Sequence, residues 1–145
     1  MNKFLKSIAI TILSSIALLS AAAHAQDKFG IKEGSYIGEL LNEEKSQVLA
    51  RAYAQIVIEK DGMGSYRQTS ATNPCYKGER KLSQKRDPSG QLIFEVKPNN
   101  DKEKCVNSYY IVKKMQGRFI TRSAIMDSKG NYVSASDLTG NWTKD

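Results

Sequence analysis

The stretch Ala52-Tyr53-Ala54-Gln55-Ile56-Val57-Ile58, followed by Asp61-Gly62, decides the fold class of this chain. Apolar residues at every second position put Ala52, Ala54, Ile56 and Ile58 on one face, which is the period of a half-buried strand. The Asp-Gly pair is a strong tight-turn signal, and residues 64–70 can return as the paired strand. The sequence therefore predicts an antiparallel hairpin here.

Further short strands are predicted on both sides of this hairpin. Asp87-Pro88-Ser89-Gly90 forms a clear turn, after which Leu92, Phe94 and Val96 face one way. Residues 77–86 contain only Leu82 as an apolar residue and are predicted to be a heavily solvated strand. The predicted strands are residues 34–41, 52–60, 64–70, 77–86, 91–97, 108–115, 118–126, 132–134 and 138–143. This spacing indicates an all-β, about eight-stranded antiparallel meander closed as a small barrel, with a β-sandwich as the alternative.

One short helix is predicted after the first strand, over residues 42–51. Asn42 can cap its first turn, and Glu43 and Glu44 follow where the helix dipole favours acids. The sequence therefore predicts one helical turn or two in an otherwise β protein.

The first 25 residues have the pattern of a cleavable secretory signal. Lys3 and Lys6 precede a run without charge from residue 8 to residue 23, and Ala23-His24-Ala25 fits the small-x-small cleavage pattern. The run is shorter than the roughly 20 apolar residues that a membrane-spanning helix needs. We therefore predict a signal peptide over residues 1–25, a single domain over residues 26–145, and a periplasmic or secreted location.

The predicted cleavage leaves little catalytic chemistry. The only histidine, His24, lies in the signal, and Cys75 and Cys105 are expected to form a disulfide in an oxidising compartment. A loop of about 31 residues closed in this way gains roughly 3–4 kcal/mol in the chain-entropy account. A reactive or metal-binding thiol pair is the alternative, which the wide spacing disfavours. We expect neither an enzyme nor a metal or cofactor site.

Two short motifs resemble those of the calycin superfamily, which includes lipocalins, avidins and small bacterial protease inhibitors. Gly34-Ser35-Tyr36 is similar to the lipocalin G-x-W, with tyrosine in the tryptophan position, and residues 138–143 (Leu-Thr-Gly-Asn-Trp-Thr) are similar to the avidin L-T-G-x-W-x. In those families the tryptophan motif lies on the first strand, whereas here it lies near the end of the chain. The resemblance implies a small barrel and does not imply biotin binding.

The predicted partner-binding site surrounds the Asn73-Pro74-Cys75 loop. Tyrosine and arginine are enriched at interface hot spots, and a disulfide-pinned loop that carries them is preorganised for binding. An apolar tip of the preceding turn can insert into a partner. The predicted contact residues are Tyr66, Arg67, Tyr76, Lys77 and Met63.

These features favour an exported binding protein that acts by surface contact. Without residues 1–25, the 22 basic and 15 acidic side chains lose only Lys3 and Lys6, which leaves a net charge of +5. We predict an inhibitor or immunity-type protein that blocks a hydrolase or toxin by binding it. The positive charge either favours an acidic partner or only keeps a mixed surface soluble. The alternatives are a calycin-like carrier of a small apolar ligand and an envelope protein that binds anionic glycan or lipid. Nucleic acid is not expected outside the cell.

Overall fold

The fold is a closed eight-stranded antiparallel barrel in a computed structural model that describes residues 30–44, 47–99 and 104–145. Each strand pairs with the next, and β8 pairs back with β1, so the all-β barrel prediction is confirmed over the sandwich. Within these residues the structure contains no helix of the length and apolarity that a membrane crossing requires. The strands are β1 (Gly34–Glu44), β2 (Gln47–Ile58), β3 (Gly64–Gln68), β4 (Glu79–Arg86), β5 (Leu92–Val96), β6 (Ser108–Met115), β7 (Arg118–Met126) and β8 (Tyr132–Lys144).

The predicted helix over residues 42–51 is wrong. Apart from residues 45–46, which are not described, the segment belongs to the ends of β1 and β2, where Leu41 pairs with Arg51 and Asn42 with Ala50. A register shift between Asn42 and Glu43 marks a bulge in the ladder. Strand pairing supplies the backbone hydrogen bonds here, and such tertiary context overrides weak helix signals. The predicted signal peptide, residues 1–25, lies outside the described residues and stays a prediction.

The last two predicted strands, 132–134 and 138–143, form the single strand β8. Its pairing with β7 shifts register between Arg122 and Ala124, where Thr139 and Ser134 are the respective partners. Bulges of this kind bend a strand without ending it. A polar stretch in the sequence therefore looked like a break although the strand continues.

Large side chains fill the barrel interior. Trp142 is 1 % exposed, its ring lies 5.9 Å from that of Phe119, and its Nε1 donates a hydrogen bond to Thr121 Oγ1 at 2.8 Å. Opposite it on β1, a Cβ at Gly38 would overlap the indole ring, so only glycine fits there. The other large, fully buried side chains of the interior are those of Phe94, Phe119, Ile56, Leu82 and Val96.

A second, smaller core lies on the outer face of β5 and β6, where the β7–β8 hairpin covers them. It contains Ile93, Ala124 and Tyr132, with Tyr109 and Ile111 packed against it. Ile93 alternates with the inward-facing Leu92 and Phe94, yet it is fully buried because this hairpin covers it.

Asp87 joins the same hairpin to the β4–β5 turn, and we call this contact the Asp87 junction. Its carboxylate accepts hydrogen bonds from Ser89 Oγ, from the backbone and side chain of Gln91, and from the Tyr132 backbone, at 2.7–3.1 Å. Burial acts to raise the pKa of Asp87, but these donors outweigh it and hold the pKa well below its ordinary value. The junction is therefore built around an ionised carboxylate.

Candidate functional site

One end of the barrel, which we call the closed end, is sealed by the segment that precedes β1. Ile31 is 7 % exposed, and its backbone N–H donates to Gln84 Oε1 at 2.8 Å. Gln84 Nε2 in turn donates to the carbonyls of Ile31 and Gly62 at 3.1 and 3.0 Å. The Gln84 amide thus joins the segment before β1 and the β2–β3 turn to β4.

The opposite end, which we call the arginine end, contains a buried cation. Arg80, the second residue of β4, is 2 % exposed, and its Cζ lies 4.8 Å from the ring centre of Tyr66 and 5.1 Å from that of Tyr76. Its Nη1 donates a long hydrogen bond, 3.4 Å, to Ser108 Oγ, and its buried Nε has no hydrogen-bond partner among the described residues. The guanidinium is held mainly by two tyrosine rings.

Tyr110 extends this aromatic cluster toward solvent. The rings of Tyr66 and Tyr110 stack with their centres 5.9 Å apart, and Tyr66 also meets the edge of Trp142 at 6.0 Å. Burial, followed by the neighbouring Tyr110, raises the pKa of Tyr66 despite the opposing charge of Arg80. Tyr66 is 2 % exposed, whereas Tyr76 and Tyr110 are half-buried, so the cluster has a solvent-facing edge.

The predicted disulfide is confirmed, and it lies beside this arginine end. Cys75 and Cys105 are bonded with their Cα atoms 5.6 Å apart, which joins the β3–β4 loop to the β5–β6 loop. Asn73 Oδ1 accepts from the Cys75 backbone, and Asn99 Nδ2 donates to the Lys77 carbonyl at 2.7 Å. The loop that carries Tyr76 is therefore fixed from both sides. A disulfide fits a non-cytoplasmic compartment.

A groove runs along the outside of the barrel over β8, β1, β2 and β3. The register places Ile37 between Gln55 and Thr143, and it places Gln55 beside Arg67. Tyr53 is 62 % exposed and Ile37 is 50 % exposed. This outer groove has a volume of about 690 Å³ and is lined by Ile37, Gly38, Glu39, Tyr53, Ala54, Gln55, Arg67, Thr69, Asn141 and Thr143.

Arginines stand on both sides of the outer groove. Arg67 projects from β3 on one side. On the other side Arg118 pairs with Thr143, and Arg122 pairs with Thr139, across the β7–β8 ladder. All three arginines are exposed. The outer groove therefore combines the exposed Ile37 and Tyr53 with polar side chains, the acid Glu39 among them, and it has arginines on both sides.

The predicted contact residues do not lie together. Tyr66 and Arg67 are adjacent on β3, so they face opposite sides of the wall: Tyr66 lies in the core and Arg67 lines the outer groove. Met63, 46 % exposed, lies in the β2–β3 turn near the closed end. Tyr76 and Lys77 lie in the β3–β4 loop at the arginine end. As placed, Tyr66 does not reach the surface.

Arg80 is the functional candidate that sequence reasoning missed. It lies within residues 77–86, which the sequence predicts to be a heavily solvated strand, but it pairs directly with Tyr66 and faces the interior with it. The signal was present in the two-residue period, because Leu82 defines the buried face of β4 and Arg80 shares that face. No cluster of three or more histidine, cysteine, aspartate or glutamate side chains suited to a metal occurs among the described residues.

The two segments that carry the calycin resemblance lie on neighbouring strands. Tyr36 of β1 pairs with Lys144, and Gly38 pairs with Trp142 of β8. Comparison of the chain with models of protein families, with curated proteins and with solved structures found no match. The calycin resemblance therefore stays a prediction.

Proposed function

We propose that this protein is an exported binding protein that acts by surface contact, with the outer groove as its main contact surface and an acidic protein as its partner. Its form is that of an inhibitor or immunity-type protein that blocks a hydrolase or toxin. The observation that carries this proposal is the exposure of Ile37 and Tyr53 beside Arg67 in one continuous groove.

The residue types in the outer groove are those that dominate binding energy at protein interfaces. Tyrosine and arginine are enriched among hot-spot residues, and an apolar neighbour helps to exclude water around them. Here Tyr53 and Arg67 stand on strands of a closed barrel rather than on a loop. Because the backbone beneath them is already ordered, binding costs little conformational entropy.

Charge favours an acidic partner over a neutral one. Three exposed arginines, Arg67, Arg118 and Arg122, flank the outer groove. The predicted mature chain has a net charge of +5. Complementary charge of this kind raises the association rate and suppresses unsuitable partners. An acidic surface that carries a protruding apolar residue would suit the groove.

The filled interior supports surface contact rather than carriage of a ligand inside the barrel. Trp142, Phe94 and Phe119 are buried to 2 % exposure or less, and the Phe119 ring stacks on Trp142 and meets Phe94 edge to face. Removing any one of them to admit a ligand would cost the packing that holds the barrel together.

The test uses the mature protein as bait for envelope proteins, followed by calorimetry with each protein captured. The variants Tyr53→Ala and Arg67→Ala are compared with Ile125→Ala and Arg86→Ala, which remove an exposed apolar side chain and an exposed arginine elsewhere. Hot-spot truncation costs about 2 kcal/mol, or roughly 30-fold in affinity. We expect each groove variant to lose that much and each control to bind normally.

The outcome has to be specific to the groove and to an acidic partner. The proposal fails if the groove variants bind as tightly as the wild type, or if the captured protein presents a basic surface. A separate pair of variants, Met63→Ala and Lys77→Ala, tests two of the partner contacts that the sequence predicts outside the groove. A loss confined to that pair would move the contact surface to the turns and away from the outer groove.

A further inference from the structure

We infer that the arginine end is a second binding site, which takes the carboxylate of a small organic acid, with Arg80 as its charged anchor. This site is separate from the outer groove and does not depend on the proposed surface contact. We infer it from the hydrogen bonds of Arg80 and from the positions of the side chains around it.

Arg80 has unused hydrogen-bonding capacity. A guanidinium has five N–H donors, and a buried one is normally paired with an acid or fully hydrogen-bonded. Arg80 is 2 % exposed, yet it makes one hydrogen bond at 3.4 Å, leaves Nε without a partner, and forms no ion pair with any described acid. A buried charge in this state is costly unless a partner completes it.

Two tyrosine rings limit the direction from which a ligand can approach the Arg80 guanidinium. The rings of Tyr66 and Tyr76 flank the guanidinium carbon at 4.8 and 5.1 Å. Cation–π contact of this kind stabilises the charge but does not satisfy the N–H donors, because their N–H bonds lie in the guanidinium plane and the rings lie against its faces. A ligand therefore has to meet the edge of the group, where a planar carboxylate can accept two parallel hydrogen bonds.

A ligand bound to Arg80 would also contact a hydroxyl group and two tyrosine rings. Ser108 Oγ already lies within reach of Nη1 and can donate to a bound carboxylate oxygen. Tyr76 and Tyr110 are half-buried and form the solvent-facing edge of the cluster. A small acid with an aromatic or branched apolar body would pair with Arg80 and place that body against these rings.

The experiment follows the Nε–H resonances of the arginines by NMR while benzoate is added to the mature protein. We expect a saturable shift of the Arg80 signal and a higher melting temperature, since a ligand that binds only the folded state stabilises it. Benzamide, which has the same ring and no charge, is the matched ligand control. Inorganic phosphate tests whether another oxyanion is preferred.

Variants separate the site from a general charge effect. Arg80→Met should abolish the response, and Arg80→Lys, which keeps the charge but loses the planar fork, should weaken benzoate binding about tenfold or more. Arg86→Met removes an exposed arginine from the far end of the same strand and should bind benzoate like the wild type. If Arg80→Met does not fold, the wild-type titration and Arg80→Lys still decide the question.

Three results would overturn the assignment. The first is no saturable shift of the Arg80 signal at millimolar benzoate. The second is an equal response to benzamide, or an equal response in folded Arg80→Met. The third is a stronger response to phosphate than to benzoate, which would exclude a carboxylate as the preferred ligand.

Discussion

The two ends of the barrel differ in how completely their inward-facing polar side chains are hydrogen-bonded. At the closed end, the amide of Gln84 makes three hydrogen bonds that seal the barrel with Ile31. At the arginine end, Arg80 brings more donors and a full charge, but within the described part of the chain its side chain makes one hydrogen bond, which is long at 3.4 Å. Gln84 therefore contributes to stability, whereas Arg80 is retained at a cost that a binding role would explain.

The Asp87 junction shows that this contrast is not a matter of charge alone. Asp87 is also buried and charged, and it too forms no ion pair in the described part of the chain. Four hydrogen bonds nevertheless satisfy its carboxylate. The fold can thus accommodate a buried charge completely, which makes the incomplete bonding of Arg80 more informative.

The largest effect is expected when the disulfide at the arginine end is removed. Cys75→Ser with Cys105→Ser should lower the free energy of unfolding by about 3–4 kcal/mol, because the bridge closes a loop of about 31 residues. Urea denaturation measures the loss. Hydrogen exchange locates it: the Tyr76 and Lys77 amides, which donate to the Asn73 carbonyl, should lose more protection than the Ile31 amide. An equal loss of hydrogen-exchange protection at both ends would show that the disulfide does not stabilise the arginine end selectively.

A smaller effect is expected from the polar side chains themselves. Gln84→Ala removes three hydrogen bonds and should cost about 1–3 kcal/mol, because the Ile31 backbone groups lose their partner. Arg80→Met should be neutral or stabilising, since it replaces an incompletely bonded buried charge with an apolar chain. Thermal and urea unfolding of both variants give the comparison. A loss in Arg80→Met as large as that in Gln84→Ala would show that Arg80 is structural.

The sequence predicts the barrel well because most strands have clear local signals. Alternation over residues 52–58 and the turns at Asp61-Gly62 and Asp87-Gly90 fix neighbouring strands and their antiparallel order. The failed helix over residues 42–51 lies where β1 and β2 continue past the bulge at Asn42. That extension depends on pairing between strands, which no local pattern of caps and acids reveals.

The candidate site was harder to predict because it depends on which face of a strand each residue occupies. Tyr66 was predicted at the surface beside Arg67, although adjacent strand residues point to opposite faces. The outer groove joins β3 to β8, which lie far apart in sequence, so only the closed register brings Arg67 near Thr143. In the sequence Arg80 is one of many cations, and only its pairing with Tyr66 places it inside the barrel.

The smallest effect, and the most selective, is expected in the acid sensitivity of Asp87→Asn. The pKa of Asp87 is lowered in the folded protein relative to an unfolded value near 3.9. Its carboxylate therefore contributes stability at pH values above about 4, and that contribution is lost as the pH falls toward the folded pKa.

Asp87→Asn should be less stable than the wild type at neutral pH and should lose less further stability between about pH 5 and pH 2. Urea unfolding at several pH values measures both. Asp61→Asn removes an exposed acid that accepts one hydrogen bond from the Met63 backbone, and it should retain the wild-type loss in acid because Asp87 is intact. An unchanged slope in Asp87→Asn would mean that its four hydrogen bonds do not favour the ionised carboxylate, and the contrast with Arg80 would lose its reference.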